Sequence, residues 1–194
     1  GRKRSSGGPT SKAGDANYLN NFRHWKSLES LPAAIDSAHD WGLRTGSRAI
    51  DRAELQVERN YQRYLPSSRG IVVRIDDSTS QECITYVNWV AGISSTAIEW
   101  SSAEKNLFSP DAIIESTSDL IDRISAKERV RWLVRQLPPT LEFLNKGISV
   151  DTRPVVERGD IEMPRWLLEQ SVSITNHRYG NIGAGPVPQL PQVP

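Results

Sequence analysis

The chain has 194 residues, of which 37% are apolar, and a formal net charge of +1. That length supports one sizeable core with additions, and the near-neutral balance excludes a global field drawing it to nucleic acid or membrane. A single cysteine, Cys83, excludes an internal disulfide framework and fits a reducing, cytoplasmic setting; no apolar run nears the ~20 residues of a membrane-spanning helix.

Residues 1–17 are rich in Gly, Ser and Lys and read as a loop. The opening GRKRSSGGPTSKAGD has no apolar segment behind its basic residues, so no signal peptide is expected. It also lacks an initiating Met, and the expectation is a segment of something longer. The GRKR run reads as solvated; a phosphate contact or an address signal is its functional alternative.

Leu31 to Gly42 predicts a short helix, with Pro32 in its first turn and Gly42 just past its end. Ser47 to Tyr64 predicts a longer one: Ile50, Ala53, Val57, Tyr61 and Tyr64 recur at three and four residues, and Pro66 stops it. GIVVRI (Gly70–Ile75) is a β-branched run and predicts a buried strand. Thr79–Gly92 predicts a helix with Ile84, Val87 and Val90 or Ala91 on one face. Ala97–Ser101 alternates and reads as a strand. Asp111–Thr117 reads as strand or helix, and the fresh helix start at Ser118-Asp119 favours strand. Ser118–Ala126 predicts a short helix. Glu128–Val134 alternates Val130, Trp132 and Val134 as a strand. Pro138–Lys146 is a helix closed by Gly147, and Ile148–Arg153 is a strand.

Such alternation of strand and helix predicts an α/β fold built on an open, mostly parallel sheet. Val155–Met163 then predicts a hairpin turning at Arg158-Gly159. Pro164–Gln170 predicts a short helix, on which Arg165 and Glu169 at i, i+4 can pair. SVSITNHRYGN is extended, which puts His177 and Tyr179 on one side and Arg178 on the other. The tail IGAGPVPQLPQVP is Pro-rich and expected to be disordered.

An open α/β sheet invites a nucleotide, yet no G-x-G-x-x-G follows GIVVRI. The turn there is DDSTSQE, and Asp76 and Asp77 would repel a pyrophosphate at that helix start. No G-x-x-x-x-G-K-[ST] occurs. His24, His39 and His177 are far apart, and with one cysteine no metal site is expected. Cys83 lies one turn into its predicted helix beside Glu82, Asp76 and Asp77, charges that raise a thiol pKa. A buried packing cysteine is therefore expected, not a nucleophile.

Two stretches carry a family resemblance. GRKRSSGGPTSKAGDANYL (Gly1–Leu19) resembles the segment closing the aldehyde dehydrogenase domain of L-glutamate γ-semialdehyde dehydrogenases, also called Δ1-pyrroline-5-carboxylate dehydrogenases. RWLLEQSVSITNHRYGN (Arg165–Asn181) resembles the C-terminal motif of the bifunctional proline utilization A proteins, which fuse proline dehydrogenase to that enzyme. Between them, ERNYQRYLP (Glu58–Pro66) and ERVRWL (Glu128–Leu133) resemble the linker and α/β core of the extra C-terminal domain in the longer members.

The resemblance implies a Rossmann-like sheet similar to an aldehyde dehydrogenase lobe, followed by a hairpin and an extended strand. It implies five regions: 1–30, the end of the aldehyde dehydrogenase domain with its substrate-anchor loop; 31–66, a helical linker; 67–154, the Rossmann-like C-terminal domain; 155–181, the hairpin, short helix and motif strand; and 182–194, the tail. The parent is implied to be a multifunctional oxidoreductase of proline catabolism, using FAD for proline and NAD for the semialdehyde. This chain lacks the catalytic cysteine lobe, so no catalytic residue, metal or bound cofactor is expected in it, and its own enzymatic status stays open. Its implied role is to support the semialdehyde dehydrogenase and seal the tunnel that channels the intermediate.

By the same match, Ser6, Gly7 and Gly8 sit where the loop grips the substrate carboxylate, as backbone N–H groups and a Ser hydroxyl can. The loop departs from the family at Gly14-Asp15-Ala16, where the family has Gly-Gly-Pro, and at Pro9, which removes a donor. Arg165, Trp166, Glu169, Gln170, His177, Arg178 and Tyr179 are implied to form a structural seam. The partners are the aldehyde dehydrogenase and proline dehydrogenase domains of the parent, with homo-oligomerisation left open and neither nucleic acid nor a membrane span expected. A stand-alone nucleotide-binding α/β domain is the alternative.

Overall fold

The computed structural model describes residues 30–46, 48–51, 58–106, 108–124 and 129–175. They divide into two compact units, one from Val72–Thr85 and Glu99–Val155, the other from Ser30–Ile71, Tyr86–Ile98 and the chain from Val156.

The first unit is built on a five-stranded parallel sheet. Its strands are β3 (Ile71–Ile75), β4 (Ile98–Ser102), β5 (Ile113–Ile114), β6 (Arg129–Leu133) and β7 (Ser149–Asp151), in the order β5-β4-β3-β6-β7. β3 is buried along its whole length, as a central parallel strand of β-branched residues should be. The connecting helices are α2 (Gln81–Ile93), α3 (Thr117–Arg123) and α4 (Thr140–Asn145). Local chemistry starts and stops them. Ser116 and Asp119 form a capping box on α3, which satisfies two N–H groups that the first turn leaves open. After α4, Gly147 takes φ 71°, the left-handed turn that favours glycine.

Val130 and Trp132 point to one face of β6 and pack with Val72, Leu120, Ile121, Ile124, Phe143 and Ile148. Trp132 meets Phe143 edge to face at 5.9 Å. The alternation then sends Arg131 to the opposite face. There it is 2% exposed and pairs with Asp151 at 3.1 Å, its register partner on β7.

The second unit holds α1 (Leu31–Thr45), β1 (Ile50–Asp51), β2 (Glu58–Pro66), α5 (Gly159–Glu162), a 3-10 turn (Met163–Trp166) and β8 (Leu167–Thr175). Ser30 caps α1, its hydroxyl accepting from the Ala33 N–H. Ala34, Ala38, Trp41 and Thr45 form the buried stripe of α1, and Trp41 meets Tyr64 of β2 edge to face at 5.2 Å. Strands β1, β2 and β8 form a small antiparallel sheet in that order, β8 pairing with all of β2 from Pro66↔Leu167 to Glu58↔Thr175. The C-terminal half of α2 belongs here too. It ends with Thr96 N–H on Ala91 O and Ser95 N–H on Gly92 O, a Schellman pair with Ser95 at φ 52° in the place usual for glycine.

Three expected elements differ. Ser47–Tyr64 is not a helix: where described, it forms β1 and most of β2, with Ala53 and Val57 outside the described residues. Val155–Met163 is not a hairpin but leads into α5, because Gly159 opens a helical turn. The helix expected over Pro164–Gln170 is a 3-10 turn that gives way to β8 at Leu167. Helix α1 also runs past Gly42 to Thr45.

Candidate functional site

In open α/β sheets, ligands sit beyond the carboxyl ends of the strands where the strand order reverses. Here that point lies between β3 and β6. The Asp76 carboxylate occupies it. One oxygen accepts from the Ser78 N–H at 2.9 Å and from the Ser78 hydroxyl, and the other from the Arg135 N–H at 2.8 Å. Thr79 closes the crevice, its hydroxyl donating to Leu133 O at 3.1 Å, and Asn106 donates to Asp76 O at 2.9 Å. At the start of α2 the Ser80 hydroxyl accepts from the Cys83 N–H. A carboxylate of the protein thus takes the backbone N–H groups of Ser78 and Arg135 at the point where a phosphate would sit. Cys83 is buried. Among the described residues no group of His, Cys, Asp and Glu could hold a metal ion.

The C-terminal motif is organised by a residue the sequence did not single out. Glu162 is fully buried at the end of α5. Its carboxylate accepts from Arg165 at 2.9 Å, from the Trp166 indole N–H at 2.9 Å and from the Val156 N–H at 3.1 Å. The i, i+3 and i, i+4 spacing to Arg165 and Trp166 was the available signal, hidden by reading Val155–Met163 as a hairpin. Trp166 is fully buried, and its carbonyl accepts from the Thr96 hydroxyl at 2.9 Å. Tyr86 is also fully buried; burial, then the charges of Glu162 and Glu157, push its phenol well above the usual range, against the opposing pull of Arg165.

The expected pair of Arg165 with Glu169 is not formed. Arg165 belongs to Glu162, whereas Glu169 lies on β8 and accepts from Gln62 at 2.7 Å. Gln170 accepts from Arg63, its register partner on β2. Arg165 and Trp166 are thus core, and Glu169 and Gln170 lock the register of the small sheet. Ser6, Gly7, Gly8, His177, Arg178 and Tyr179 lie outside the described residues.

One acid-sensitive feature lies in the first unit. Burial alone would raise the Asp151 carboxyl, but hydrogen bonds from Arg153 and the charges of Arg131 and Arg153 outweigh it and bring it down to about 2. A depressed carboxyl stabilises the fold above its unfolded value of about 3.9 and loses that contribution as pH falls through the folded value. The expected result is a loss of up to about 2 kcal/mol between pH 4 and pH 2, absent in Asp151→Asn. Urea midpoints across that range check it, and equal slopes for the two chains would contradict it.

No protein-family profile and no curated protein matches this chain. Among solved structures, it is similar to proline utilization A (PutA) from Corynebacterium freiburgense, at 20% identity and a TM-score of 0.56. The similarity covers 93% of this chain, and the chain spans 16% of the length of that protein. At this identity the likeness speaks for the fold, which is PutA-like. Among the described residues no helix is long and apolar enough to cross a membrane.

Proposed function

We propose that this chain is a non-catalytic supporting segment of a larger, cytoplasmic, PutA-like polypeptide that oxidises proline to glutamate. In that setting it buttresses the NAD-dependent L-glutamate γ-semialdehyde dehydrogenase and helps seal the tunnel carrying the intermediate. NAD and FAD belong to the parent's other domains, which are also its partners. Ser6, Gly7 and Gly8 would meet the substrate carboxylate there, on the strength of the resemblance of Gly1–Leu19.

The observation that carries the reading is the place of β8 in its sheet. The order β1-β2-β8 leaves β8 at the edge of the described sheet, and His177, Arg178 and Tyr179 follow it in the sequence. An edge of nine residues offers a row of backbone donors and acceptors to an added strand. The likeness to a PutA chain over most of this one supports the choice of parent. Against the nucleotide-binding alternative stands Asp76, which bridges the exits of β3 and β6.

The test uses the parent polypeptide. Replacing His177, Arg178 and Tyr179 together by Ala spares Trp166 and β8. Proline oxidation is expected to stay near the starting rate, because its barrel lies elsewhere. The lag before NADH appears from proline should lengthen, and an external trap should capture more of the semialdehyde. Unchanged lag and trapping would overturn the seam. Saturable thermal stabilisation of the chain by NAD would instead favour the alternative.

A further inference from the structure

β5 lies at one edge of the large sheet and has little packing of its own. It pairs with β4 in parallel through two residues, as Ser101↔Ile113 and Ser102↔Ile114. Ile113 is 38% exposed and Ile114 61%, so apolar burial holds the strand weakly.

What holds it is the next residue. Glu115 ties β5 to three other elements. Its N–H donates to Ser102 O at 2.9 Å. Its carboxylate accepts from Arg123 of α3 at 2.7 and 2.9 Å and from the Ser101 hydroxyl of β4 at 2.7 Å. Its carbonyl accepts from Arg74 of β3 at 2.9 Å, and the same guanidinium donates to the Ser101 hydroxyl at 2.7 Å. Arg123 also donates to Glu99 of β4 at 2.6 Å. The side chain of Glu115 is 7% exposed and Arg74 is 2% exposed, so these contacts are shielded from salt.

We infer that β5 is a strap held by a charged catch: it opens as a local unit while the rest of the sheet stays folded, and Glu115 keeps it shut. Regions that open first have few buried apolar contacts. The core of Val72, Leu120, Ile121, Val130 and Trp132 does not include β5. Opening takes the neighbour from Ser101 and Ser102 and leaves that edge of β4 with unpaired N–H and C=O groups, which an added strand can use. The catch is acid-sensitive. Burial raises the Glu115 carboxyl, but hydrogen bonds from Arg123 and Ser101 and the charges of Arg123 and Arg74 outweigh it and hold it below the usual range. The strap is therefore shut above the ordinary carboxylate pKa of about 4.3 and loosens as pH falls through the lowered value.

Amide hydrogen exchange in the full chain at neutral pH tests this. The amide at position 115 should exchange at least about tenfold faster than those of β3, because it need not wait for the sheet to unfold. Glu115→Gln keeps the shape and removes the charge. It should lower protection at position 115 by about another tenfold, the scale of a lost charged hydrogen bond, and leave β3 and β6 unchanged. Arg123→Gln should do the same from the other side of the pair. Ile114→Ala should change protection there by less than about threefold, because little of Ile114 is buried. Protection at position 115 equal to that of β3 would overturn the inference, as would a Glu115→Gln chain that keeps the starting protection. A larger loss from Ile114→Ala than from Glu115→Gln would also overturn it, by assigning the strap to packing.

Discussion

Replacing Glu162 by Ala is expected to lower the stability of its unit by about 3–5 kcal/mol, the usual result of removing one partner from a buried ion pair. The reason is arithmetic of partners. The carboxylate serves a guanidinium, an indole N–H and a backbone N–H at once, and Arg165 beside it has only 9% of its side chain exposed. Without Glu162 these groups keep their desolvation cost and lose the acceptor they share. For a chain of this size the melting midpoint should fall by roughly 10 °C. Glu162→Gln, which keeps an acceptor, should lose less. Glu162→Leu combined with Arg165→Met removes both charges and should lose less than Glu162→Ala alone. Thermal and urea unfolding followed by tryptophan fluorescence measure this, and a loss under about 1 kcal/mol for the alanine variant would show that the cluster is not a keystone.

The second large effect is expected from one methyl group. A Cβ added at Gly159 would collide with the Ser37 carbonyl oxygen and stand 2.7 Å from the Ala38 Cα. Both are backbone atoms of α1 and cannot rotate aside. The same approach lets the Gly159 N–H donate to the Ser37 hydroxyl at 2.9 Å. Gly159→Ala must push α1 and α5 apart, at a cost of about 1–3 kcal/mol or more. Gly92 is the control: it lies within α2, and a Cβ there meets nothing within 4 Å. Gly92→Ala should stabilise by up to about 1 kcal/mol, because alanine loses less backbone freedom on folding. Opposite signs for the two substitutions are the expected result; a neutral Gly159→Ala would mean that α5 shifts freely.

The large parallel sheet was legible from β3 and β6, the two strands buried along nearly their whole length. GIVVRI is a β-branched run, RVRWL alternates arginine with Val130 and Trp132, and GIVVRI is followed by a 13-residue helix. The small sheet was not legible for the opposite reason. Arg59 through Leu65 are all half-buried, so no two-residue alternation marks β2, and Tyr61 and Tyr64 fall by chance into helical spacing with Ile50. What makes it a strand is pairing with β8, a partner more than 100 residues away, and strand preference of this kind lies in the partner more than in the segment. The turn signal at Arg158-Gly159 misled similarly. That glycine is required for the close approach to α1, not for a hairpin. Of the seam residues, Arg165, Trp166, Glu169 and Gln170 lie in the described part. Their roles as core and register residues needed Glu162 and β2 to be seen.

The distance in sequence between β2 and β8 also sets an order in time. Residue 66 must wait for residue 167 before its strand has its full neighbour. At about 5–20 residues per second of synthesis, that is an interval of roughly 5–20 s. Before it ends the five-stranded sheet can form, since all its strands precede Thr152, while among the described residues β2 has only the two of β1 beside it. A chain cut short before Leu167 therefore leaves the β8 side of the nine-residue β2 unpaired, and aggregation of such chains would begin at Glu58–Pro66.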